Sequence, residues 1–232
     1  MKFEKPTQFG TLIKRYKRFL ADIRLETGEV ITAHCANSGS MKTCAEAGWS
    51  VMVSDSQNPK RKLKYTWELV HNSKCWIGIN TQIPNILAKN AITEGKIPEL
   101  SGYSKISMEQ KYSLNSRIDL LLENEDKKCF VEVKNVTLVE NDVYLFPDAV
   151  TERGLKHLGD LLEMKKSGHR AVMFYIIQRS DGKIFKPSGD IDPKYAKKLE
   201  DVYNQGVEIL PYVANVSPEE ITISKKIDFS FI

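Results

Sequence analysis

Two short runs in the chain carry residues able to do chemistry together. Arg117-Ile118-Asp119-Leu120-Leu121-Leu122 is followed, after a hairpin-length gap, by Phe130-Val131-Glu132-Val133-Lys134-Asn135. As adjacent antiparallel strands these runs can direct Asp119 and Glu132 to the same face, and the strand period of two puts Glu132 and Lys134 on one face. Two carboxylates and a lysine at the end of apolar strands match the needs of a hard divalent cation such as Mg²⁺. Such an ion takes oxygen ligands from one or two carboxylates and completes its shell with substrate phosphate. The lysine can then orient an attacking water or neutralise charge developing on phosphorus. Surface strands also carry Asp…Glu-x-Lys as solvated ion pairs, and the spacing alone admits both readings.

Three further groups bear on the same chemistry. Arg153, Lys156 and His157 stand at i, i+3 and i+4, so they share one helical face near a helix start, a place suited to phosphate; a solvated cationic face opposite a leucine stripe is the plainer account. Lys60, Arg61, Lys62 and Lys64 lie beside Tyr65 and Trp67. Cations track phosphates and aromatic rings can stack on unpaired bases, although the spacing places Trp67 in a core. Ser38-Gly39-Ser40 lacks the pattern of a nucleophile elbow and reads as a backbone loop able to cradle phosphate. His34, Cys35 and Cys44 have no fourth ligand at a fitting spacing, so packing rather than zinc accounts for them.

The elements that must position these residues follow from periodicity. Short strands over 9–34, 49–54 and 64–70, separated by turns, predict a small antiparallel barrel or sandwich. The pattern changes near residue 80. A helix is expected from Pro84 to Glu94, then strands at Lys105–Tyr112, Arg117–Leu122 and Cys129–Val133. A second helix runs from about Val150 to Lys166 with Leu155, Leu158, Leu161 and Leu162 as its stripe. Ala171–Ile177 reads as a buried central strand, Pro193–Tyr203 as a helix, and Val207–Val213 and Ile221–Phe229 as the last strands. This α-β-β-β-α-β-α-β order describes a mixed sheet covered by helices. Of 232 residues, 41% are hydrophobic and 28% charged, the balance of an ordinary globular protein. No apolar run approaches the ~18 residues needed to span a bilayer. The first residues hold no apolar signal core and the four cysteines have no C-x-x-C spacing, so the expected home is the cytoplasm, with no membrane partner. Residues 1–80 hold 13 Lys and Arg against 7 Asp and Glu, while 81–232 hold 21 against 23. That asymmetry fits polyanion binding by the first part, and also ordinary solubility.

With these residues in view, Asp119…Glu132-Val133-Lys134 resembles the core of PD-(D/E)xK nucleases. Longer stretches resemble the sugar fermentation stimulation protein A family nearly end to end. They are Ala33-His34-Cys35-Ala36-Asn37-Ser38-Gly39-Ser40-Met41, Asn58-Pro59-Lys60-Arg61-Lys62-Leu63-Lys64-Tyr65-Thr66-Trp67-Glu68, Ser116-Arg117-Ile118-Asp119, Val131-Glu132-Val133-Lys134-Asn135-Val136-Thr137-Leu138 and Phe146-Pro147-Asp148-Ala149-Val150-Thr151-Glu152-Arg153-Gly154. The resemblance implies an N-terminal OB-fold barrel, expected over 1–80, and an α/β PD-(D/E)xK nuclease-like domain with a mixed sheet over 81–232. It also implies a DNA-binding protein associated with regulation of maltose metabolism. Ile118 stands where the motif name has proline. The first helix has no inward acid, since Glu94 lies at its end, so Glu109 on the next strand is the candidate for a third carboxylate.

The leading expectation is therefore a DNA-binding protein with little sequence preference that retains Mg²⁺- or Mn²⁺-dependent phosphodiesterase chemistry. In it Asp119 and Glu132 hold the metal, the Val133 carbonyl assists, and Lys134 serves the water. A non-catalytic regulator on the same fold is the first rival. A carbohydrate-binding module is the second, which the cations at 60–64 disfavour, since neutral sugars need none. The partner expected is DNA, single-stranded or duplex; a homodimer is compatible with the chain. Replacing Lys60, Arg61, Lys62 and Lys64 with Ala should weaken DNA affinity and flatten the slope of log affinity against log salt by roughly 0.9 per lost duplex-phosphate contact. A fluorescence-anisotropy salt titration checks this, and an unchanged slope moves the DNA to the Arg153–His157 face.

Overall fold

Alternating apolar positions along the first eighty residues curl a sheet until it closes. The computed structural model describes residues 1–113, 116–125 and 127–231. Strands β1 (Thr7–Tyr16), β2 (Leu20–Leu25) and β3 (Val30–Cys35) form a meander whose inward side chains, among them Leu12, Ala21, Ile23, Ile31 and Ala33, are buried. The β1–β2 turn holds Lys17 and Arg18, both at positive φ. Strand β4 (Ser50–Asp55) pairs antiparallel with β1 and with β5 (Tyr65–His71). β3 then meets β5 in parallel through His34–Thr66 and Cys35–Trp67, which closes a five-stranded barrel, and β6 (Trp76–Gly78) extends the β5 edge. Trp67 fills the barrel as its spacing predicts. Its indole N–H, which cannot be left dry, donates to the Leu69 carbonyl at 2.9 Å.

The rest of the chain builds the sheet that carries the carboxylates. Helix α1 (Ile83–Thr93) has Pro84 in its first turn and stops at Gly95, whose φ of +69° suits a residue without Cβ. After a 3-10 turn at Pro98–Leu100 come β7 (Lys105–Ser113), β8 (Ser116–Glu123), β9 (Lys128–Val136), β10 (Leu138–Glu140) and β11 (Val143–Phe146). Helix α2 (Glu152–Lys166), β12 (Arg170–Ile177), β13 (Ile184–Pro187), α3 (Pro193–Asn204), β14 (Glu208–Val216) and β15 (Ile221–Lys226) complete it. The six-stranded sheet runs β15-β14-β12-β9-β8-β7, with β9, β12 and β14 parallel and the outer strands antiparallel. Ala171–Ile177 is fully buried because both faces of β12 are covered. One face packs on α1 together with Met52 and Leu69 of the barrel, and the other on α2 and α3. In α2 the stripe buries Leu158, Leu161 and Leu162, while Leu155 is only half-buried.

The expected element order omits one feature. β10, β11 and β13 form a separate three-stranded sheet. Its hairpin turns at Asn141-Asp142, both at positive φ, the pairing that a two-residue turn of the primed type favours. Strands of three and four residues are too short to show a period.

Barrel and sheet are tied by polar contacts. Arg179, 1% exposed, pairs through Nε and Nη2 with the Asp181 carboxylate (2.6 and 2.7 Å) and donates to the carbonyls of Thr43 in the barrel and Thr137 after β9. Asn72 Nδ2 also donates to Asp181 at 2.7 Å, and the Gly78 N–H donates to the Gln178 carbonyl at 2.9 Å. Burial pushes the Asp181 carboxyl up, but the Arg179 hydrogen bonds and charge outweigh it and hold it at about 2. A carboxyl depressed on folding stabilises above its unfolded value and loses that contribution as pH falls through the folded one. Asp181→Asn should therefore cost about 2–3 kcal/mol at pH 7. Urea denaturation at a series of pH values should show the gap between variant and parent closing as pH falls from about 4 to 2.

Candidate active site

The site forms where a β-ladder opens. β8 and β9 pair up to Leu120–Val131; the next pair in the same register would be Asp119 and Glu132. There the Val133 N–H is satisfied by a side chain instead, donating to Asp119 Oδ2 at 2.8 Å. Asp119 Oδ1 accepts from Asn85 Nδ2 at 2.9 Å, in the first turn of α1. That helix start has no side-chain cap, and Pro84 and Asn85 of its first turn line the same cleft as Asp119.

Glu132 is 1% exposed. Its Oε1 accepts from Lys134 Nζ at 2.5 Å and from the Nδ1–H of His157. The other imidazole nitrogen, Nε2, accepts from Arg153 Nε at 3.4 Å, which leaves Nδ1 as the donor to the carboxylate. Oε2 is buried and has no hydrogen-bond partner among the described residues. His157 is set by the start of α2. Thr151 caps the helix by accepting from the Gly154 N–H at 3.0 Å, and Asp192 accepts from the N–H groups of Thr151 (2.9 Å) and Tyr195 (3.0 Å). A side chain at Gly154 would run into Thr151 and Tyr195, so glycine allows the helix this close.

The two carboxylates are driven apart in acidity. Burial raises the Asp119 pKa, the Glu132 charge raises it further, and Lys134, the Val133 N–H and Asn85 offset this only in part. Burial raises Glu132 too, but the His157 hydrogen bond and the Lys134 charge win and hold it below the ordinary range. Two carboxyl groups with pKa values pushed in opposite directions in one cavity make this the candidate site.

Both line a cleft of about 440 Å³ between barrel and sheet. Arg18, Asn37, Ser38 and Gly39 form its barrel side, and Phe146, Val150 and Arg153 its far wall. The Ser38-Gly39 loop lies in the cleft as a roof. Gly39 has no room for a Cβ because the Asp148 carboxylate stands there, accepting from Ser40 Oγ (3.3 Å) and the Met41 N–H (3.2 Å).

Other expected site residues fall elsewhere. Glu109 is not a third carboxylate. It sits exposed at φ +51° on edge strand β7 and does not line the cleft, and Asn85 occupies the neighbouring position at Asp119. His157 does not join Arg153 and Lys156 on the solvent face. It precedes Leu158 by one residue and Leu161 by four, so it lies at the edge of the apolar stripe and turns inward to Glu132. Arg153 is exposed at the cleft, while Lys156, also exposed, donates to Ser116 Oγ at 2.9 Å. Lys60, Arg61, Lys62 and Lys64 lie on the β4–β5 loop, outside the cleft; Lys64 pairs with Asp55 at 3.2 Å and Arg61 donates to Thr66 Oγ1 at 3.2 Å. Arg18 and Asn85 were missed. The basic run Lys14 to Arg18 ahead of a strand was the available signal for the first, and nothing in the sequence marks the second.

The donor set is tested by its own chemistry. Among the described residues no cluster of three His, Cys, Asp or Glu is placed to hold a metal. Two carboxylates with the Val133 carbonyl are an oxygen-only set, which suits a hard cation that keeps waters and takes phosphate oxygens. The partnerless Oε2 of Glu132 is the atom such a cation would satisfy.

Comparisons with known proteins cover both parts of the chain. The family description "SfsA N-terminal OB domain" matches residues 13–79, and "Sugar fermentation stimulation protein RE domain" matches 82–220. Curated relatives include the sugar fermentation stimulation protein homologs of Geotalea uraniireducens, 56% identical over 94% of each chain, and Geobacter sulfurreducens, 53% identical over 96% of each. Among solved structures, Pyrococcus furiosus SfsA in complex with Ca²⁺ superimposes with a TM-score of 0.89 over 99% of both chains at 24% identity, a likeness of fold. Among the described residues no helix is long and apolar enough to cross a membrane.

Replacing His157 with Ala takes away one of the two donors on a buried carboxylate. Stability measured by urea unfolding should fall by about 3 kcal/mol. His157→Gln, which keeps an amide donor, should recover part of that loss.

Proposed function

The chain belongs to the sugar fermentation stimulation protein family, and on that premise we propose that it binds DNA and hydrolyses phosphodiester bonds with a divalent cation held in the cleft. One observation carries the reading: Glu132 Oε2, in the cleft that Asp119 also lines, is buried with no hydrogen-bond partner among the described residues. An unsatisfied carboxylate oxygen is costly to bury, and a cation removes that cost. The complex of P. furiosus SfsA with Ca²⁺ supports a hard ion in this fold; Mg²⁺ or Mn²⁺ is proposed for the working protein.

Asp119, Glu132 and the Val133 carbonyl would hold the ion, which supplies positive charge to the phosphoryl oxygens and acidifies water. The remaining roles belong to the chain. Lys134 orients the attacking water and neutralises charge developing on phosphorus. Arg153, together with Arg18 from the barrel, neutralises flanking phosphates. His157 and Asn85 keep the two carboxylates aimed, as outer partners of a metal site do. Lys60, Arg61, Lys62 and Lys64 extend the phosphate contacts along the β4–β5 loop, a binding loop of OB barrels. A part in maltose metabolism would be exercised through this DNA engagement.

Melting of the protein with and without MnCl₂ tests the reading, alongside incubation of labelled DNA. At one hundred times the dissociation constant, binding adds about 2.7 kcal/mol, which should raise Tm by roughly 5–10 °C at this size. Glu132→Gln and Asp119→Asn should abolish the shift and any cleavage. Metal-free DNA affinity should hold or rise in both, because a carboxylate facing phosphate repels it without an ion. Metal-dependent signals surviving in Glu132→Gln would overturn the metal site. A metal-dependent shift without cleavage would favour the non-catalytic regulator.

A further inference from the structure

We propose that this cleft takes an unpaired DNA strand and excludes the duplex, an inference that rests on the DNA reading above and names its substrate form. The cleft is small and cannot widen freely. Its volume of about 440 Å³ lies at the low end of small-molecule pockets, of which ~300–1,000 Å³ is typical, and suits a single nucleotide unit. A duplex, whose major groove alone is about 12 Å wide, does not fit such a space.

The roof is fixed from three sides. Arg15 donates to the carbonyls of Arg18 (3.0 Å), Asn37 (2.9 Å), Gly39 (2.9 Å) and Ser40 (3.3 Å). Asp148 reaches up to Ser40 and Met41 from the sheet side, and Thr81 Oγ1 donates to the Ala36 carbonyl at 2.7 Å. With Glu132 buried beneath that roof, a phosphate reaches it only on a strand that enters the cleft. The walls offer what an unpaired nucleotide presents, an anion and a flat apolar face. Arg18, Arg153 and Lys134 supply the cations. Val150, 73% exposed, and Phe146, held against Tyr175 and Tyr195, supply apolar surface at the wall. Phe19, half exposed, follows Arg18 in the β1–β2 turn and offers a ring on which a neighbouring base can stack. In a duplex the bases are already stacked and these surfaces stay unused.

The test compares one labelled oligonucleotide, single-stranded and annealed to its complement, by anisotropy in CaCl₂, and by cleavage in MnCl₂. The single strand should bind at least ~10-fold tighter and be the form cut. Val150→Asp and Phe19→Ala change exposed residues outside the carboxylate cluster. Each should lower single-strand affinity by ~5-fold or more and duplex affinity by less, with Tm unchanged. Equal or tighter duplex binding, or a preference untouched in both variants, overturns the inference. Equal duplex binding that still depends on Glu132 would sink this inference alone; no metal-dependent signal with either form would sink the earlier reading as well.

Discussion

A guanidinium sealed from water dictates how the two halves of the molecule meet. Arg179 cannot be left unpaired at 1% exposure, so Asp181, Thr43 and Thr137 must all come within hydrogen-bond reach of it. Thr43 belongs to the barrel loop before β4, Thr137 follows β9, and Arg179 itself follows β12. Meeting that single demand places the barrel loop over the carboxyl ends of two parallel strands, where open sheets form their binding crevices. The roof over the crevice is then tied down by its own bonds to Arg15, Asp148 and Thr81.

Below the roof, the two carboxylates sit in unlike settings. His157 and Lys134 share one oxygen of Glu132 and hold its pKa down, and the other oxygen has no partner among the described residues. Asp119 is held by an amide and a backbone N–H, yet burial and the Glu132 charge still raise its pKa above the ordinary carboxyl value. A packed apolar pair at these positions would be easier to fold around. The cost of burying charge resides in two residues at the mouth of an opened ladder, beside the well-capped α2 and the buried β12.

Much of this was legible in the sequence because the informative patterns are local. Alternation and the period of two placed Asp119, Glu132 and Lys134 together, the continuous run Ala171–Ile177 announced a strand covered on both faces, and Trp67 read as core. Three features were not legible for distinct reasons. β10, β11 and β13 are shorter than a period needs, though Asn141-Asp142 was a usable turn signal. Asn85 and Arg18 join the site only through tertiary placement, one from a helix start and one from another folding unit. His157 was assigned with its charged neighbours because i, i+4 spacing identifies a face but not how far that face rolls toward the sheet. Glu109 lies outside the cleft for a related reason: it takes a positive φ on an edge strand, a backbone setting that simple alternation does not foresee.

The sharing of one apolar layer by Met52 and Leu69 of the barrel with α1 and the central sheet has a thermodynamic corollary. The barrel keeps a core of its own around Trp67, yet these two residues lie in the shared layer, so separating the halves uncovers apolar surface on both sides. Loss of one half therefore exposes part of the apolar layer of the other, which couples the two. Anything that grips the crevice therefore steadies the distant strands of the barrel as much as the residues it touches. The barrel is accordingly a wall of its neighbour rather than a module that could be exchanged for another.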